Sequence, residues 1–153
     1  MLNRISTLFG WLLLLLGLLY YFMNYNSLPD RVPTHFNLLG QAEDQGSKNT
    51  AWFFFGILAF VLVILSLVKK ADPSVLNYPL TITKGNLSAI HKLSLELLSI
   101  IQIWIGGLAI LVSRAFVSLA LNDSQNGMRG FWLYFIILFA VIGLYIYRMR
   151  RQK

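Results

Sequence analysis

The side chains with the widest chemical reach in this 153-residue chain are gathered in one short segment, LPDRVPTHFNLLGQAEDQGSK, residues 28–48. It places His35 in one stretch with the carboxylates of Asp30, Glu43 and Asp44, and it ends on Lys48. A neutral imidazole can ligate a metal, act as a general base, or titrate near physiological pH. Three readings of His35 therefore stand side by side. It can hydrogen-bond across a turn and hold the segment shut. It can take part in recognising a ligand or partner. Or it can serve metal or catalytic chemistry. No HExxH-type spacing supports the last, and a catalytic zinc ordinarily takes three protein ligands.

Other polar residues lie against apolar sequence. Glu96 and Gln102 fall near or within a long hydrophobic stretch, where an ionisable group is a functional candidate. Lys92 precedes Glu96 by four residues and is expected to pair with it on one helix face. Gln102 is expected to hydrogen-bond between helices, and Gly106-Gly107 to allow close helix approach or a slight kink. Arg114 is expected to snorkel to an interface, and His91 to be solvated. The chain has no cysteine, which excludes disulfides, thiolate metal sites and cysteine nucleophiles. No Gly-rich phosphate loop or nucleophile elbow is visible, and no cofactor or metal is assigned.

Composition dictates what kind of element positions these residues. Hydrophobic residues make up 57% of the chain and charged residues 12%, about half the charged share of an ordinary soluble domain. The apolar residues come in blocks rather than stripes. Four blocks, residues 5–23, 51–68, 97–116 and 131–147, approach the roughly 20 residues a helix needs to cross a bilayer core. None contains proline. Lipid offers no partner to a free backbone amide, so each block must be helical. Tyr20, Tyr21, Trp52, Trp132, Tyr145 and Tyr147 fall near block ends, as interfacial aromatics do. Arg4 alone precedes the first block, and no small-x-small site follows it. The block is expected to stay as an anchor rather than a cleaved signal.

Charge sets the expected direction. One side receives Arg4, Lys69, Lys70, Lys84, Lys92, Arg148, Arg150, Arg151 and Lys153; the other receives Arg31, Lys48, Arg114 and Arg129. The richer side is cytoplasmic by the positive-inside rule. The expected fold class is thus all-α integral membrane: four transmembrane helices, both termini cytoplasmic, and one structured extracytoplasmic loop. The formal charge of +7 follows from the same flanking residues, so no nucleic-acid partner is implied. The C-terminal RMRRQK is a topology anchor within reach of anionic lipid.

The chain divides into residues 1–68, a first helix pair with the outer loop 24–50; residues 69–96, a cytoplasmic loop; and residues 97–153, a second helix pair with a basic tail. In the outer loop, Pro29 and Pro33 bias their predecessors toward extended geometry, and Gly40 and Gly46 permit tight turns. An extended piece over 32–36 is expected, then turns, then the second helix with Asn49 or Thr50 as its N-cap. An ion pair between Asp30 and Lys48 would brace the loop, at about 0–1 kcal/mol if exposed.

The outer loop resembles a bacterial membrane family, domain of unknown function 1648, whose pattern is LPD-x-[IV]-P-x-H-[FW]-[ND]-x-x-G, closing on [SG]-K. The matching residues are Leu28, Pro29, Asp30, Val32, Pro33, His35, Phe36, Asn37, Gly40, Ser47 and Lys48. The frequent aromatic between Gly40 and Lys48 is replaced by Glu43, Asp44 and Gln45. The resemblance covers about residues 5–68, with Asn77-Tyr78-Pro79 as further support. The same domain opens the Sdp-type immunity proteins, polytopic bacterial membrane proteins that protect a toxin's producer and capture a repressor at the membrane. The resemblance implies a bacterial cytoplasmic-membrane location and an immunity- or signalling-like role. No second, C-terminal immunity-type module is found after the domain.

The expected function is recognition of a peptide, another membrane protein or a small envelope ligand. Pro33, His35, Phe36 and Asn37 form the surface, with Asp30, Gly40 and Lys48 bracing the loop. The alternatives are a metal-assisted hydrolase at the membrane surface, with His35 and Asp30 as ligands, and a structural subunit acting through helix packing. The lipid bilayer is the one partner common to all three.

Overall fold

A computed structural model describes residues 2–36, 42–78, 80–122 and 131–152. Four of its helices are long and apolar enough to cross a membrane: α1 (Leu2–Asn24), α2 (Thr50–Val68), α3 (Leu87–Asn122) and α4 (Phe131–Arg150). A two-stranded antiparallel sheet, β1 (Arg31–Phe36) and β2 (Ala42–Ser47), joins α1 to α2. The chain is a multi-pass membrane protein. Its outward faces carry Leu8, Phe22, Phe53, Phe60, Ile136 and Phe139 in exposed positions, a load of apolar surface that water would not tolerate on a monomer. Its interior holds polar residues, with Ser6, Gln102 and Ser113 buried.

Helices in lipid gain little from apolar burial against one another, so they associate through close packing and interhelical hydrogen bonds. The pair α1–α3 does both. The two run in the same direction, with Gly10 against Gln102 and Gly106, and Gly17 against Ala109. The approach is backbone to backbone. A Cβ on Gly106 would collide with the Gly10 carbonyl oxygen, and one on Gly17 would lie 2.6 Å from the Ala109 carbonyl carbon. Around this seam Leu14, Tyr21, Phe55, Leu58, Leu62, Ala109 and Val117 form the core. The expectation of a close approach at Gly106 is met, and the approaching helix is α1.

At 36 residues, α3 is about 54 Å long, far more than the roughly 30 Å of a bilayer core. The helix begins at Leu87, in the stretch NLSAIHKLSLELL after Gly85 whose helical pattern is expected to continue into the third span, and it ends at Asn122, beyond the expected end at residue 116. Its first turns have a core of their own. Ile90 and Leu93 are buried with Met149 of α4, and Tyr78, Leu80, Ile82 and Tyr145 pack around them. Asn86 starts the helix by accepting from the Thr83 amide at 2.8 Å and donating to the Thr81 carbonyl.

Several local expectations give way here. His91 is not simply solvated; its Nδ1 shares a 2.9 Å hydrogen bond with the Tyr78 hydroxyl. Glu96 makes no ion pair with Lys92 among the described residues; its carboxylate lies 3.5 Å from the Tyr145 hydroxyl. The piece expected to be turns after Phe36 includes a second strand, β2. Asn49 precedes α2 without a side-chain cap, because its Oδ1 accepts from the Tyr25 hydroxyl at 2.6 Å.

Replacing Gly106 by Leu is expected to force α1 and α3 apart, costing at least the ~1–3 kcal/mol of an overpacked core and visibly lowering the melting temperature in detergent. Gly56→Ala and Gly143→Ala, whose new Cβ atoms meet nothing within 4 Å, should melt with the wild type. Co-melting of all three variants would rule out the α1–α3 crossing at Gly10.

Candidate functional site

An isolated two-stranded hairpin is marginal in water, so the geometry of the loop rests on what ties it to the bundle. Those ties meet at its base. Tyr21, fully buried near the end of α1, donates its hydroxyl to the Lys48 carbonyl at 2.6 Å. Its ring sits edge-on to Trp52 and Phe116, at 5.4 Å and 6.4 Å, and close to Tyr25 and Phe55. The Lys48 ammonium donates to the Leu28 carbonyl at 3.1 Å, lies 3.3 Å from Asp30 Oδ1, and sits 4.8 Å from the centre of the Tyr25 ring. The Lys48 amide donates to the Asp30 carbonyl. Leu28 and Val32 are buried, seating the start of the hairpin on the helix ends.

Above the base the ladder becomes irregular. Arg31 pairs with Ser47, Val32 with Gly46 and Pro33 with Gln45; the register then shifts on either side of the His35–Asp44 pair. Pro33 has no N–H to give the ladder, and such residues are confined to edges and bulges. The irregularity puts His35 opposite Asp44, with Nδ1 3.9 Å from Oδ2 and the two side chains 73% and 71% exposed. Thr34 Oγ1 is 3.2 Å from the same nitrogen. The outer strand is partly self-capped. Arg31 donates to the Gln45 carbonyl at 3.0 Å, and the Gln45 amide donates to Asp44.

The candidate residues therefore separate. Asp30 and Lys48 meet at the base, His35 is exposed farther along β1, and Pro33 is half-buried between them. Phe36 closes β1 opposite Ala42. Asn37 and Gly40 lie outside the described residues. The carboxylate within ion-pair distance of His35 is that of Asp44, not Asp30. Among the described residues no group of three or more His, Asp or Glu side chains is placed to hold a metal ion.

A second polar centre lies at the opposite end of the same helices. Gln102, fully buried, donates to Ser66 Oγ at 2.9 Å, and its Oε1 accepts from Thr7 at 2.9 Å and from the Lys69 ammonium at 2.7 Å. Lys69 also reaches Ser6 and Thr7. Burial pushes the Lys69 ammonium below its ordinary pKa. Gln102 was legible as an interhelical bonder; its partners were not. Lys69 looked like one of a pair of flanking charges. The available signal was depth, since Ser6-Thr7, Ser66 and Lys69 are the polar residues at one end of the first two apolar blocks. Beyond this centre, Asp72 is held below the usual carboxylate range by side-chain and backbone hydrogen bonds from Ser74. Burial raises the Tyr78 hydroxyl, with the charge of Asp72 adding to it.

Residues 12–66, which run from within α1 through the hairpin to near the end of α2, match a family described as Domain of unknown function (DUF1648). No curated protein and no solved structure matches the chain.

The base bonds carry unequal weight. Asp30 is 97% exposed against 16% for Lys48, so Asp30→Asn should cost no more than about 1 kcal/mol. Tyr21→Phe removes the donor to the Lys48 carbonyl and should cost ~1–3 kcal/mol. Hydrogen exchange on residues 42–48 is expected to quicken in Tyr21→Phe and to stay near wild type in Asp30→Asn. The reverse ranking would make the ion pair, not the tyrosine, the fastening of the hairpin.

Proposed function

Residues 12–66 belong to the DUF1648 family, and from that premise we propose that this chain is a recognition protein of the bacterial cytoplasmic membrane. Both termini lie in the cytoplasm, and the hairpin faces outward. The outward surface, made by Pro33, His35, Phe36 and Asn37, engages a peptide, another membrane protein or a small envelope ligand. The role is immunity- or signalling-like in kind. The observation that carries this reading is the contrast within the hairpin. Its base is fastened to α1 and α2 through Tyr21 and Lys48, while His35 and Asp44 stand exposed and, among the described residues, make local contacts. A surface held from below keeps the entropy cost of binding small.

Direction can be tested directly, since the chain has no native cysteine. In intact cells a membrane-impermeant maleimide is expected to label Gln45→Cys and to reach Arg151→Cys only after permeabilisation. The opposite pattern would invert the protein and remove the hairpin from the cell exterior. Recognition is tested by placing a photoreactive residue at Phe36 and identifying adducts by mass spectrometry. A discrete peptide, protein or small-molecule adduct that disappears in His35→Ala is the expected result. Adducts to lipid or to the chain itself alone would reject a partner at this surface.

A further inference from the structure

The end of the bundle opposite the hairpin contains an open cleft of ≈ 710 Å³ lined by Arg4, Thr7, Leu8, Ser66, Lys69 and Lys70. Its size is that of a small-molecule site. Its position is fixed by the two spans that frame it. Arg4 opens the first span, and Lys69 and Lys70 directly follow the second, which ends at Val68. The cleft therefore sits at the depth of lipid headgroups.

Its walls have the chemistry of an anion seat. Three cationic side chains converge on it, with the hydroxyl-bearing Thr7 and Ser66 beside them. No aspartate or glutamate lines it. Among the described residues no carboxylate lies within ion-pair distance of Arg4 or Lys70. One cation is placed by structure rather than by chance: Gln102, wholly buried, holds the Lys69 ammonium at 2.7 Å and the Ser66 hydroxyl at 2.9 Å. Guanidinium and ammonium groups are what a phosphate oxygen cluster binds. Leu8, 70% exposed, gives the cleft an apolar wall on the side that continues into the span.

We propose that this cleft binds a phosphate-bearing anion, seated as the headgroup of an anionic phospholipid whose acyl chain runs along Leu8. The phosphodiester lies between Arg4 and Lys70, and Lys69, positioned by Gln102, closes the floor. The same chemistry would suit a soluble phosphate, but a site open to the bilayer at headgroup depth beside an exposed leucine fits a lipid.

The test uses the full chain purified in detergent and read by native mass spectrometry, with phosphatidylglycerol or phosphatidylcholine added. Phosphatidylglycerol should be retained in preference, and the double variant Arg4→Gln/Lys70→Gln should lose roughly tenfold of that retention, as two interfacial cations warrant. Among the described residues neither side chain makes a hydrogen bond, so the variant should fold; an unchanged melting temperature checks this. The control Lys84→Gln/Lys92→Gln removes equal charge from the same end of the chain and should leave retention intact. Equal loss in the control would replace the site with diffuse charge and overturn the proposal. So would equal retention of the two lipids, or unchanged retention in the Arg4/Lys70 variant. Displacement of phosphatidylglycerol by millimolar inorganic phosphate would reassign the cleft to a soluble anion and overturn the lipid seat.

Discussion

The close crossing of α1 and α3 at Gly10, Gln102 and Gly106 is the constraint on which the other features hang. With no side chain between the backbones, the Gln102 amide comes within reach of Thr7 on α1, Ser66 on α2 and Lys69 beyond it. One side chain thereby joins three helices. Individual interhelical hydrogen bonds in membranes contribute only about 0.6–2 kcal/mol. Their value here lies in being mutually satisfied, because losing Gln102 would take one partner each from the half-buried Lys69 ammonium and the Thr7 and Ser66 hydroxyls. A larger residue at position 10 would strain the crossing and pull this network apart together.

The same helices carry that order to the far end. Gly17 continues the α1–α3 seam one heptad on, and Tyr21, one turn further, is buried among aromatic rings and reaches the Lys48 carbonyl. The hairpin is therefore held mainly by a hydrogen bond from the interior of the bundle. The Asp30–Lys48 pair is its visible brace, but an almost fully exposed carboxylate adds little. Lys48 matters more for its bond to the Leu28 carbonyl and its place over the Tyr25 ring. Pro33 then breaks the ladder, so the exposed His35 sits in the part of β1 least committed to the sheet.

What could be seen in the sequence follows from which forces act locally. Spanning blocks are legible because lipid punishes any other backbone arrangement, and all four helices contain the blocks expected for them. Most of β1 was legible as the extended piece over 32–36, from the bias its prolines impose. Its partner, AEDQGS, has poor strand propensity and exists because β1 and the Lys48 anchor hold it in place. The early start of α3 was legible in the helical pattern after Gly85; what was hidden is its cover, because Ile90 and Leu93 find it on Met149, almost sixty residues away. Tyr78 with His91, and Lys69 with Gln102, were hidden for the same reason. Polar partners chosen by tertiary packing leave no spacing in the chain to count.

The family match and the packing unit do not share boundaries. Residues 12–66 contain the hairpin, Tyr21 and Ser66. They omit Thr7 and Gly10 on one side, and Lys69 and every residue of α3 on the other. Yet the base of the hairpin is fastened by Tyr21, whose ring packs against Phe116 of α3, and α1 is fixed by Gln102, Gly106 and Ala109. Cut out alone, the matched segment would present the glycine face of α1 to lipid and leave Ser66 without its amide donor. The unit that fastens the hairpin in this protein therefore runs at least from α1 through α3, and the matched segment is one part of that packing unit.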